Sequence, residues 1–327
     1  MRWPRALGNS PLAALVLVVA ALPGAAADTA FVTNQSSSDL SVIDLATLTE
    51  VARLPVPGNP AGLAVADSLG AVYVVSPETK TVSRFSLRND SLTGTLQLDG
   101  GPIGIAVDEA RGRFFVSDWF NARAWVIDAA TLTVTRTLVT GSAPAGLAIS
   151  PDGRFLVTAD RDSDRLSVFD AETLAPLRQI AVGTRPFGVS FSPDGRVFSA
   201  DVGSNGVTVA DPATGEVLGH VETGERPYDI AFAKGRGFVT NQYADSVTVF
   251  DAATLVPVAL IEVGEYPEGI DASSDGARIY VANWFSNTLS VIDTETLAVI
   301  GEATTGDGPR AFGQFIAATG GETCATC

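Results

Sequence analysis

Histidine and cysteine carry much of the acid–base, nucleophilic and metal chemistry available at neutral pH, and this sequence has almost none of either. His220 is the one histidine, Met1 the one methionine, and Cys324 and Cys327 the two cysteines. Three-histidine zinc sites, methionine-ligated haem and Ser-His-Asp or Cys-His centres built around several histidines therefore lack their parts. The cysteines stand as Cys-Ala-Thr-Cys at the end of the chain, after an Ala-Thr-Gly-Gly-Glu-Thr stretch. No histidine follows the second cysteine, which excludes c-type haem attachment, and no strand–helix pattern supports a thioredoxin-like centre. A local disulfide and capture of a soft metal such as Cu(I) are the readings that remain for Cys324 and Cys327.

Three other groups of residues could bind a ligand. Two Trp-Phe pairs, Trp119-Phe120 and Trp284-Phe285, put large aromatics among otherwise polar stretches. Arg185, Arg226 and Arg310 flank recurring prolines, with Phe187, Tyr228 and Glu268 in matching places. Asp118, Asp160 and Asp201 recur at spacings of 42 and 41 and could offer hard oxygen ligands to a cation. The balance of 37 acidic against 21 basic residues, a net charge of -16, repels a phosphate backbone and argues against nucleic-acid binding.

The elements that must hold these groups follow from a repeat. Proline recurs at Pro60, Pro102, Pro144, Pro186, Pro227, Pro267 and Pro309, every 40 to 42 residues. Each is followed by a short apolar alternation and then a turn such as Ser150-Pro151-Asp152-Gly153. A second strand comes next, then a third ending in Asp44, Asp128, Asp170, Asp211, Asp251 or Asp293, with Ser86 in the remaining repeat. A fourth strand leads to the next proline. Four period-2 strands per repeat, repeated seven times without a helical pattern, predict an all-β, seven-bladed β-propeller of four-stranded antiparallel blades. The repeat opens on a second strand (residues 30–33) and ends on a first strand (309–317), so strands from both termini must complete one blade and close the ring.

In register, Asn34, Ser76, Asp118, Asp160, Asp201, Asn241 and Asn283 end the second strands. Asn and Asp there suit closure of each hairpin onto its own backbone, and a metal role for Asp118, Asp160 and Asp201 is the minor alternative. The next two positions differ between blades, and include Trp119-Phe120, Gln242-Tyr243 and Trp284-Phe285. These aromatics either form a recognition surface or fold down over their own blades. The arginines either form a site for an anionic group or pair locally with Glu225 and Glu268. His220 falls in an outermost strand, away from any partner group.

The stretches Phe31-Val32-Thr33-Asn34, Phe238-Val239-Thr240-Asn241 and Tyr280-Val281-Ala282-Asn283 carry a resemblance to a known family. So do Val42-Ile43-Asp44, Val291-Ile292-Asp293 and the linker Gly183-Thr184-Arg185-Pro186-Phe187-Gly188. Residues 30–318 resemble the bacterial YVTN-type β-propeller repeat proteins. That resemblance implies export and binding more often than catalysis, and it brings no active-site residues with it.

Residues 1–27 read as a signal peptide: Arg2 and Arg5, an apolar run from Leu12 to Leu22, then Ala25-Ala26-Ala27. The expected organisation is a signal peptide (1–27), a propeller (28–318) and a tail bearing the cysteines (319–327). The expected product is a monomeric periplasmic or secreted protein without a membrane anchor, cofactor or catalytic residues. Its expected role is a non-enzymatic scaffold binding a periplasmic protein or an anionic small molecule through Trp119, Phe120, Arg185, Phe187, Arg226, Tyr228, Tyr243, Glu268, Trp284, Phe285 and Arg310. The alternatives are an accessory protein of a periplasmic redox or metal system, using the cysteine tail, and a metal-dependent propeller hydrolase or lyase.

Overall fold

Seven four-stranded antiparallel sheets stand in a ring, each with its strands in simple meander order. The computed structural model describes residues 28–318; residues 1–27, expected to be a signal peptide, and 319–327, which carry Cys324 and Cys327, lie outside the described residues. Blades 2 to 7 begin at Leu63, Pro102, Pro144, Pro186, Pro227 and Pro267. The described helices are three single 3-10 turns, Asp67–Leu69, Glu109–Arg111 and Arg161–Ser163.

The sequence explains the shape of each blade. Inner strands alternate apolar residues toward both neighbouring blades, so second strands such as Ala71–Ser76 and Phe155–Asp160 are buried along their whole length. Fourth strands such as Thr49–Pro55 alternate exposed and half-buried residues, as the outer edge of a ring requires. Every pairing of third with fourth strand carries a register break, from Val42/Ile43 to Val291/Ile292. Such bulges add twist at a sheet edge. The aspartates that end the third strands close the turns beside them. Asp251, for example, accepts the Ala253 and Thr254 N–H groups and the Thr254 hydroxyl at 3.1, 2.8 and 2.9 Å. These donors hold the Asp251 carboxyl below its ordinary pKa.

First strands line the axis and pack on one another around the ring. In five blades a glycine two residues after the repeated proline permits this approach. A Cβ on Gly62 or Gly104 would stand 2.2 Å from the carbonyl oxygen of Ile103 or Ala145 in the next blade.

Closure follows the sequence expectation in topology and is more elaborate in detail. The closing blade is ordered Ile316–Ala317, Thr29–Asn34, Asp39–Asp44, Thr49–Pro55. Only Ile316–Ala317 is regular strand, because residues 309–315 bond to two blades at once. On one side the Phe31 N–H donates to Phe315 O (2.9 Å) and the Arg310 N–H to Thr33 O (2.8 Å). On the other, the Leu63 and Val65 N–H groups donate to Phe312 O (3.0 Å) and Gln314 O (2.8 Å). Gly313 takes φ 123°, a conformation that glycine tolerates, between these two sets of bonds.

Candidate functional site

The loop joining second to third strand and the linker from fourth to first strand share one face of the ring. In all seven blades a loop N–H donates to a linker carbonyl, from Gln35 to Gly308 (2.8 Å) through Trp284 to Tyr266 (3.0 Å). The residues that end the second strands are buried beneath these contacts. Asp118 accepts from the Gly101 N–H (2.8 Å) and from Arg123 (2.7 Å). Asp160 accepts from Thr158 (2.8 Å) and Ser167 (2.5 Å), and Asp201 from Ser199 (2.7 Å) and Thr208 (2.6 Å). Burial pushes the Asp160 carboxyl up and the Asp201 carboxyl up to about 6, whereas the donors around Asp118 outweigh its burial and hold it down. Each of the three carboxylates is engaged within its own blade. Among the described residues no three His, Cys, Asp or Glu side chains gather in a metal-binding group. His220 is exposed on a fourth strand, its Nδ1 3.4 Å from the Thr208 hydroxyl.

The residues just after the repeated prolines form the neck of the channel on this face. Ala61, Ile103, Ala145 and Phe187 make its apolar side; Tyr228, Glu268 and Arg310 make a polar side. Arg310 Nε lies 3.1 Å from Glu268 Oε2, and its Nη groups donate to Tyr228 (2.5 Å) and Gln35 (3.3 Å). Gln242 donates to the other Glu268 oxygen at 2.6 Å. Burial pushes Glu268 up against the opposing pull of Arg310, and pushes Tyr228 up as well. The Arg310 charge is therefore met within the protein. Gln242 Oε1 has no hydrogen-bond partner in this network, and Glu268 Oε2 and Arg310 Nε face each other as an ion pair without a regular hydrogen bond. Tyr228, Phe187 and Phe312 pack together at ring-centroid distances of 4.5, 5.1 and 5.7 Å and fill the neck.

Around the neck the two Trp-Phe pairs behave differently. Trp119 turns inward, 6.0 Å from the Phe187 ring, with the Arg161 guanidinium 5.4 Å from its own ring. Phe120 lies over Gly101 and is 78% exposed. On the far side Tyr243, Tyr266, Trp284 and Phe285 form one continuous cluster, with neighbouring centroids 4.7 to 6.0 Å apart. Phe285 and Tyr243 are about half exposed. Arg226 is tied to this cluster by a 2.8 Å hydrogen bond to the Tyr243 hydroxyl. Arg185 is exposed. The structure thus joins Arg226, Tyr243, Trp284 and Phe285, and separately joins Trp119, Phe187, Tyr228, Glu268 and Arg310.

Arg185, Arg226 and Tyr266 precede prolines with φ of 55°, 58° and 59°. Asn59, Ala143 and Gly308 take the same left-handed conformation before their prolines (φ 56°, 49° and 66°), so it is a feature of the linker in most blades and not of these three positions alone. Arg185, Arg226 and Tyr266 are each held by an N–H bond to a turn residue of the preceding blade: Asp164 (2.8 Å), Asn205 (2.9 Å) and Asp245 (2.8 Å).

The sequence reading missed Tyr266 as part of the aromatic cluster. It also missed two carboxylates on the axis, Asp229 and Asp271. Both signals were present as breaks in register. Asp229 stands where Gly62, Gly104, Gly146, Gly188 and Gly269 stand in other blades, and Asp271 where Ala64, Ala106, Ala148 and Ala231 do.

The fold and its closure define the class: a seven-bladed β-propeller. A family model described as Lactonase, 7-bladed beta-propeller, matches residues 126–232, about a third of the chain. No curated protein matches the sequence. Among solved structures, Kuenenia stuttgartiensis hydrazine synthase is similar at 18% identity and TM-score 0.69, over 77% of this chain and 88% of that one. A protein of unknown function from Desulfotomaculum acetoxidans is similar at 16% identity and TM-score 0.75, over 87% and 99%. The dihydro-heme d1 dehydrogenase NirN is similar at 17% identity and TM-score 0.65, over 84% of this chain and 63% of that one. At these identities the likeness is one of fold.

Proposed function

We propose that this chain is an exported, YVTN-type propeller acting in the periplasm or outside the cell as a non-enzymatic scaffold, with a protein partner docked on its loop face. The observation that carries the reading is the continuous, half-exposed cluster of Tyr243, Tyr266, Trp284 and Phe285, which Arg226 borders. Aromatics and arginine are the residues enriched at the centres of protein interfaces. The neck behind them is filled by Phe187, Tyr228 and Phe312, which favours a partner lying across the face over a small molecule entering from it.

The test is affinity capture from periplasmic extract, followed by binding measurements with the purified captured protein. Phe285→Ser and Phe120→Ser alter exposed rings and should leave the fold intact. The expected result is a partner whose binding is lost with Phe285→Ser and whose complex places the loop face at the interface. Equal binding by both variants and the parent would remove this face from consideration.

A further inference from the structure

Below the Phe312 plug the axis opens into a cavity of about 520 Å³, which Pro151 and Pro193 of the first-to-second-strand turns also line. That size falls in the range of small-molecule sites. Its wall is largely apolar, and includes Ile105, Leu147, Phe191 and Phe232. Two carboxylates, Asp229 and Asp271, interrupt it from adjacent blades, and no lysine, arginine or histidine lines it.

Asp271 is held by three N–H groups: those of Ala272 (2.8 Å), Phe315 (2.8 Å) and Ile316 (3.0 Å). Asp229 is 6% exposed; its Oδ1 accepts the Ile230 N–H at 2.9 Å, and the Gly313 N–H of the closing segment also acts on its carboxylate. Burial pushes both carboxyls up, Asp271 to about 6; the charge of Asp271 adds to the effect on Asp229, and that of Asp28 to the effect on Asp271. Carboxylates without a counter-charge in a low-dielectric wall are costly even when N–H groups reach them, and a cation brought to them recovers part of that cost. Asp271 has a structural reason to be acidic, because it clamps the closing strand. Asp229 touches the closing segment only through the Gly313 N–H, and it replaces the glycine that close packing uses in five other blades.

We propose that this cavity binds an organic ammonium ion, with Asp229 and Asp271 facing the charged head and the apolar wall taking the hydrocarbon portion. Beyond the two carboxylates the largely apolar wall offers few side-chain oxygens to a hard metal ion, and among the described residues no three His, Cys, Asp or Glu side chains gather there. The aromatic rings of Phe191, Phe232 and Phe312 suit a cation carrying hydrocarbon. The strongly acidic protein would concentrate such ligands near the mouth. This site is separate from the loop face and stands or falls without it.

Isothermal titration calorimetry of the protein with n-hexylammonium, hexan-1-ol and Ca²⁺ as probes tests the proposal. The expected result is one ammonium ion bound per chain, with the alcohol weaker by about tenfold or more. Asp229→Asn, which keeps an acceptor for the Ile230 N–H, should weaken the ammonium ion by a similar factor and leave the alcohol unchanged. Affinity for the ammonium ion should also rise with pH as the two raised carboxyls lose their protons, Asp271, pushed up to about 6, being one and Asp229 the other. Ala148→Phe, which fills the cavity from another blade, should abolish binding of both organic probes and serves if Asp229→Asn does not fold. Equal affinity for ammonium and alcohol, undiminished ammonium binding in either folded variant, or binding of Ca²⁺ alone would overturn the assignment.

Discussion

Phe315→Ala tests how the ring is held shut. The Phe315 side chain is fully buried in the cluster that joins the closing blade to its neighbours, beside Phe31, Val42 and Tyr280. Its backbone donates to Asp271 and accepts from Phe31, so the residue ties the last strand to blade 7 and to the first described strand. Truncating a buried phenylalanine costs about 3–5 kcal/mol through lost transfer energy and the cavity left behind. For a domain spanning residues 28–318, with an unfolding entropy of about 2.1 cal/mol/K per residue, that corresponds to a fall in melting temperature of about 5–8 °C. Phe238→Ala, equally buried but inside blade 6, should cost a similar amount and provides the control. Native-state hydrogen exchange separates the two. Phe315→Ala should strip protection from the amides of Thr29–Asn34 at lower free energy than global unfolding, and Phe238→Ala should not. A Phe315→Ala protein melting within about 2 °C of the parent would refute the reasoning. So would unchanged exchange at Phe31, because the ring would then not depend on this strand. Deleting residues 309–317 is the severe form of the same test, and should yield insoluble protein or one melting far lower.

Glu268→Gln leaves the Arg310 charge buried beside a neutral amide and should cost about 3–5 kcal/mol in denaturant unfolding, whereas replacing both partners by methionine should cost far less. Asp229→Asn should raise the melting temperature more at pH 8 than at pH 4. The Asp229 pKa is raised on folding, so its contribution is favourable below the ordinary carboxylate pKa and is lost as pH rises through the folded value. Parallel pH profiles for parent and variant would count against that sign. Gly104→Ala should destabilise by about 1–3 kcal/mol, since its Cβ would meet Ala145 O of the next blade at 2.2 Å; thermal melting reads this directly. Phe285→Ser should stay within about 0.5 kcal/mol of the parent, as exposed substitutions do, and a larger loss would make the aromatic cluster a structural element.

The chain's own periodicity determined the number of blades, the four strands in each and the sharing of one blade between the termini. These features were legible because each repeat is a local unit: alternation sets which side chains face the neighbouring blades, and Pro, Gly and Asp mark the turns between strands. The register also located the positions around the channel, since residues 40 to 42 apart occupy equivalent places. What those side chains do was decided by contacts between blades, which a repeat does not encode. The sequence left Arg310 either an open anion site or a partner of a nearby glutamate, and the fold puts Glu268 of the neighbouring blade 3.1 Å from it. The Trp-Phe pairs look alike in sequence, yet Trp119 meets Phe187 two blades on and turns inward, while Trp284 meets Tyr266 and stays at the rim. Asp229 and Asp271 showed only as breaks in columns of glycine and alanine. Tertiary structure made them a pair, because closing seven blades into a ring brings positions 42 residues apart to one wall of one cavity. The cost of an uncompensated charge depends on that shared surrounding and on neither residue's own segment.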